Sequence, residues 1–149
     1  MYLRDLEALA DFAEIFSSAL KDEPAVVFLV GPLGAGKTAL IRAVFTHAGV
    51  TSTVKSPSYT LLEPYPMHGR EAWHLDLYRL TDPEALENLG IRDFDRTQGY
   101  LFVEWPEHGV RHLPTPDLTL TLEFSGEGRN LSFATSTPIG ERICAQLAQ

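Results

Sequence analysis

Residues 31–38 read GPLGAGKT, and each residue type in that stretch has a use in holding a phosphate. Gly31, Gly34 and Gly36 let successive backbone N–H groups turn inward without Cβ clashes. Lys37 sets a cation against β- and γ-phosphates, Thr38 offers a hydroxyl to Mg²⁺, and the helix opening there adds its N-terminal dipole. The pattern G-x-x-x-x-G-K-[ST] is complete, follows an apolar run (AVVFLV, 25–30) and opens a helix, the context its mechanism requires. The expected nucleotide site is Gly31, Pro32, Leu33, Gly34, Ala35, Gly36, Lys37, Thr38 and Ala39.

Such a site needs a carboxylate at the end of a neighbouring strand, to hold Mg²⁺ or its waters, and a group that orients the attacking water. Glu104 ends the apolar run LFV, and Asp76 lies on the polar face of WHLDLYRL, residues 73–80. Alternation there puts Trp73, Leu75 and Leu77 on one face and His74, Asp76 and Tyr78 on the other. Lys37, Asp76 and Glu104 are the expected catalytic residues, with Thr38, Glu104 and Asp76 as the metal's candidate ligands. The sequence leaves the division of roles between the acids open. VKSPSYTL (54–61) occupies the place of a γ-phosphate-sensing loop in switch-type NTPases, with Lys55, Ser56, Pro57, Ser58 and Thr60 as its candidate residues.

The elements that must position these groups follow from periodicity. Leu3, Leu6, Ala10, Ala13, Phe16 and Leu20 recur at near-helical spacing. A βα unit spans 25–48; strands are expected at 60–65 and 72–78, joined by the turn-rich PMHGRE. A short helix in TDPEALENLG, an apolar strand LFVEW, a hairpin from DLTLTLEF to RNLSFAT and a last helix opened by Thr137 and Pro138 complete the chain. The sum predicts one α/β P-loop NTPase domain over 1–149, a mixed sheet with helices on both faces. A sheet covered in that way makes Asp76 an acid in need of a partner.

Composition narrows the function. The 149 residues carry 12 Lys plus Arg against 20 Asp plus Glu, a net charge of −8, which disfavours an unaided grip on nucleic-acid phosphates. A single cysteine, Cys144, no apolar run of spanning length and no signal-peptide pattern lead to the expectation of a cytoplasmic protein with no membrane partner. Neither a D-x-x-G switch nor an N-K-x-D guanine reader occurs, which favours ATP and ADP over guanine nucleotides. A small-molecule kinase using Arg79, Arg92 or Arg96, and a nucleotide-gated adaptor without turnover, are the alternatives. For the adenine, the candidates are ATSTPIG (134–140) and backbone near the first helix.

Taken together, GPLGAGKT, VKSPSYTL, HLDLYRL and VEWPE resemble, in order and spacing, the bacterial TsaE family, formerly called YjeE. The resemblance runs over almost the whole chain. It implies an ATPase required for threonylcarbamoyladenosine modification of tRNA, acting with TsaD and TsaB and reaching tRNA through them. It matches the family's P-loop to 31–38 and its important acids to Asp76 and Glu104. The family's switch-like loop falls on Lys55–Thr60, with Ser58 and Tyr59 where Thr and Phe are frequent, and its tryptophan on Trp105, here a candidate for partner contact or transmission.

Overall fold

The computed structural model describes residues 1–55, 57 and 60–149. Its centre is strand β2 (Val26–Val30), whose run of apolar residues is buried on both faces. On one side β2 pairs in parallel with β5 (Tyr100–Glu104), and β5 in parallel with β4 (Arg70–Asp76). On the other side it pairs in parallel with β6 (Leu118–Ser125), which turns back as β7 (Gly128–Thr135). With β1 (Tyr2–Leu3) beyond β7 and β3 (Leu62–Met67) beyond β4, the sheet has seven strands in the order β1-β7-β6-β2-β5-β4-β3. This is the mixed α/β sheet expected from the sequence.

The two faces are covered unequally. On one lie α1 (Leu6–Leu20), α2 (Lys37–His47) and α4 (Pro138–Leu147), burying Phe16, Leu40, Phe45 and Ile143 against Leu29, Phe102, Leu120 and Leu131. On the other, the segment between β4 and β6 folds back as α3 (Ala85–Asn88) and short 3-10 turns. There Leu77, Leu86 and Ile91 close over Val26, Phe28, Leu75, Leu101 and Val103. Among the described residues no helix is long and apolar enough to cross a membrane.

Several sequence expectations shift. Helix α1 starts at Leu6, capped by Asp5, whose carboxylate accepts the Ala8 N–H. Its buried face is Leu9, Phe12, Ala13, Phe16 and Leu20, with Leu6 exposed, and Leu3 belongs to β1 rather than to the helix. The β3–β4 hairpin is longer at its tip than expected. Strand β3 continues through Pro64 and Pro66 because it is an edge strand, where a missing N–H costs no ladder bond to a second neighbour. The turn shrinks to His68 and Gly69, both at positive φ. Strand β4 ends at Asp76 instead of Tyr78, because the Asp76 carboxylate accepts the Tyr78 N–H and bends the chain.

Buried Asp117 ties the far edge of the sheet. Its carboxylate accepts hydrogen bonds from the Val26 N–H at 2.7 Å, the Thr137 hydroxyl at 2.6 Å and the Arg96 guanidinium at 3.0 Å. One acid thereby joins the starts of β2, β6 and α4. Asp117→Ala strands the buried Val26 N–H and leaves the Arg96 guanidinium with the Thr115 carbonyl, and it should lower stability by about 3 kcal/mol in urea denaturation. A loss under about 0.5 kcal/mol would show that water replaces the carboxylate without penalty.

Candidate functional site

Parallel pairing decides where the functional groups meet. Strand β2 ends at Val30, one residue before the glycine loop, while Leu29 is in register with Glu104, and Glu104 with Asp76. The loop and both acids therefore share the carboxyl edge of three adjacent strands, where open α/β sheets bind ligands. The loop's backbone demands glycine. Gly31, Gly34 and Gly36 have φ of 151°, 80° and 108°, and a Cβ on Gly31 would be driven into the Leu122 carbonyl oxygen. From the outside Arg129 steadies the loop, donating from Nε to the Ala35 carbonyl at 3.1 Å while its guanidinium lies 4.4 Å from the centre of the Phe124 ring.

Inside the loop Lys37 is only 4% exposed. Its Nζ donates to the carbonyls of Gly31 at 2.6 Å and Pro32 at 3.0 Å, and it lies 4.4 Å from the centre of the Trp105 ring. Burial lowers its pKa below the ordinary lysine value, and the charges of Glu104, Asp76 and Glu107 oppose that shift. The next residue, Thr38, donates its hydroxyl to both carboxylate oxygens of Glu104, at 2.8 and 3.0 Å. Glu104 is itself buried, and its Oε2 is 2.7 Å from His74 Nε2.

A cleft of about 430 Å³ opens over these groups, walled by Lys37, Thr38, Asp76, Tyr78, Arg79, Glu104 and Trp105. Asp76 is half-buried in that wall, with its backbone N–H held by the Leu61 carbonyl at 3.0 Å. Trp105 adopts φ 57°, a left-handed conformation that a bulky residue rarely takes, and this turns its ring between Tyr78 and His108. A second hollow of about 310 Å³ lies along the outer side of the loop, between Gly34–Ala39, the start of α1 and Arg129.

The structure thus brings Lys37, Thr38, Ala39, Asp76, Glu104 and Trp105 together around the glycine loop. Of the switch-loop candidates, Ser56 and Ser58 lie outside the described residues. Lys55 is exposed and Thr60 bonds to Glu63, while Pro57 is buried and its carbonyl accepts the Leu61 N–H. Two sequence suggestions are displaced. Residues 134–140 sit at the opposite edge of the sheet, since Thr135 is paired with Leu118 at the start of β6. Arg96 lies at that same far edge on Asp117, and Arg92 pairs with Glu87, so of the kinase-like arginines only Arg79 reaches the cleft. His74 and Arg129 escaped the sequence reading as site residues. The former had only its place on the polar face of 73–78 to signal it, and the latter is 94 residues from its carbonyl partner.

A cradle that a Cβ would fill, a buried cation beneath it and an oxygen-only set from Thr38, Glu104 and Asp76 fit a phosphate with a hard divalent cation such as Mg²⁺. Among the described residues no group of three or more His, Cys, Asp or Glu could hold a metal. A cation here would therefore draw its remaining ligands from water and phosphate.

Comparison with known proteins gives consistent matches. The family model described as threonylcarbamoyl adenosine biosynthesis protein TsaE matches residues 3–131. A Haemophilus influenzae protein named tRNA threonylcarbamoyladenosine biosynthesis protein TsaE is 41% identical over 132 residues, covering 89% of this chain and 84% of its own. A Bacillus subtilis protein of the same name is 30% identical over 125 residues, covering 83% and 78%. The crystal structure of Bacillus subtilis YdiB superposes with a TM-score of 0.82 at 25% identity, over 99% of this chain and 92% of that one.

Lys37 carries a consequence for stability. Its folded-state pKa lies below the ordinary value of 10.5, so between the two values the unfolded chain binds more protons and stability rises with pH. Below that window the folded state bears the cost of a desolvated ammonium. Lys37→Met should therefore be at least as stable as wild type at neutral pH, and its advantage should shrink as the pH is raised toward 10.5. Urea denaturation of both proteins at neutral and alkaline pH checks this. A variant markedly less stable at neutral pH would make Lys37 a structural keystone instead.

Proposed function

The chain belongs to the TsaE family, and from that premise we propose that it binds and hydrolyses Mg-ATP in support of threonylcarbamoyladenosine modification of tRNA, acting on a TsaD–TsaB pair. One observation carries the reading: the Thr38 hydroxyl and the Glu104 carboxylate are bonded at the mouth of a complete phosphate loop. The names of the relatives supply the pathway, and the net charge of −8 fits a protein that reaches tRNA through partners.

The residues then divide the work. Backbone N–H groups of the loop and Lys37 receive the β- and γ-phosphates, which replace the carbonyls of Gly31 and Pro32 as partners of the ammonium. Thr38 and Glu104 hold the Mg²⁺, whose chemistry is to neutralise charge developing on the phosphate oxygens. Asp76, in register beside Glu104 but less buried and on the cleft wall, orients the attacking water. The outer hollow beside α1 takes the purine, reached past Ala39, which lines both hollows.

Alone the protein turns over slowly, because closing the water-orienting geometry is left to the partner. Leu61 is the mechanical link: it adopts φ 63°, accepts the Asp76 N–H and donates to Pro57, so a shift at Pro57 is felt at Asp76. Docking and ATP binding therefore favour one another, since linkage is reciprocal.

The test combines calorimetry with phosphate release. Wild type should prefer Mg-ATP and Mg-ADP to guanine nucleotides. Asp76→Asn and Glu104→Gln should bind nucleotide within about tenfold of wild type, while hydrolysis falls by about 100-fold or more. Adding the TsaD–TsaB pair should raise the wild-type rate. Equal affinity for ATP and GTP, wild-type hydrolysis by a folded acid variant, or a rate indifferent to the pair would each remove the corresponding part of the proposal.

A further inference from the structure

His74 is completely buried in mid-strand, and among the described residues its Nδ1 has no hydrogen-bond partner. Its ring faces the edge of Phe45 with centroids 6.4 Å apart, an apolar neighbour that offers nothing to a ring nitrogen. Among the described residues its one polar tether is Nε2, 2.7 Å from Glu104 Oε2. A histidine serving the core alone has no need of such an arrangement, since a leucine or phenylalanine fills the volume without stranding a nitrogen. Geometry also fixes the tautomer. A carboxylate accepts, so Nε2 carries the proton, and the bare Nδ1 lone pair is left against apolar surroundings.

We infer that His74 is a positioning residue for Glu104, a prop behind the carboxylate that keeps it aimed at Thr38 in the nucleotide-free protein. The inference rests on the reading that Glu104 serves the divalent cation, and it adds the group that makes the acid ready. Glu104 ends β5, where a free side chain has several rotamers. Here one oxygen is tied to β4 through His74, and the carboxylate is also tied to α2 through Thr38. The two bonds differ in what a bound cation asks of them. The Thr38 oxygen would share its lone pairs with a cation, so its hold on the carboxylate shifts with loading, whereas the histidine bond to Oε2 leaves the Oε1 lone pairs open and can persist. His74 therefore keeps the carboxylate's aim independent of what Thr38 binds. Groups of this kind behind a ligand are worth about 10- to 100-fold in metal affinity.

Three substitutions separate the prop from mere packing. His74→Gln can place an amide N–H near the Nε2 position, His74→Asn reaches only as far as Nδ1, and His74→Phe fills the space without a donor. Two measurements decide. Crystal structures of the ligand-free variants should show the Glu104 carboxylate displaced from Thr38 in His74→Phe and in place in His74→Gln. Calorimetry with ADP, with and without Mg²⁺, should show the magnesium-dependent gain in affinity cut about tenfold in His74→Phe and His74→Asn. His74→Gln should recover most of that gain, and affinity in EDTA should be alike in all four proteins. Glu104 unmoved in His74→Phe, or His74→Gln behaving as His74→Phe does, overturns the inference. A wild type whose ADP affinity ignores Mg²⁺ would instead overturn the assigned role of Glu104, while the ligand-free structures would still decide whether His74 positions it.

Discussion

Glu104 stands in register between Leu29 of β2 and Asp76 of β4, and that parallel pairing is what the site depends on. A shift of one residue in either ladder would turn the acid to the other face of the sheet and leave Thr38 without a partner. Register in turn is held by burial. The alternating residues of β2, β4 and β5 fill separate apolar clusters on the two faces, so no slipped pairing keeps both filled. The core and the chemistry are consequences of one alignment.

That alignment places charge where water is scarce. Lys37 and Glu104 are buried in the wall of a phosphate-sized opening, and His74 is buried behind Glu104. An ammonium resting on two backbone carbonyls and an indole face is adequately solvated but not optimally so, and it exchanges those contacts readily for phosphate oxygens. Poised binding groups of this kind draw on stability generated elsewhere. Asp117 contributes at the opposite edge, with three donors converging on one carboxylate and no demand from ligand binding.

Legibility in the sequence followed the range of the interactions. The phosphate loop is local: glycines, lysine and threonine lie within eight consecutive positions, and the sterics that require them act through neighbouring backbone. Both acids were legible because each ends or nearly ends a strand whose pattern announces it. The prop behind Glu104 was not, because alternation marks His74 only as polar, and its partner is 30 residues away. Assigning ATSTPIG to the base failed for a topological reason: the β6–β7 hairpin carries it back to the edge where β2 begins. The face of α1 was misjudged at its start because Leu6 and Leu9 are equally apolar, and only docking against the sheet distinguishes them.

The most direct measurement is a crystal structure of the protein grown with Mg²⁺ and a non-hydrolysable ATP analogue. The account predicts phosphates inside the loop of residues 31–38, with the Lys37 ammonium moved from the Gly31 and Pro32 carbonyls onto phosphate oxygens. It also predicts the cation between Thr38 and Glu104, Asp76 facing the γ-phosphate, and His74 still bonded to Oε2 of Glu104. Phosphates bound elsewhere, or a loop in which Lys37 keeps its Gly31 and Pro32 contacts at saturating analogue, would contradict it.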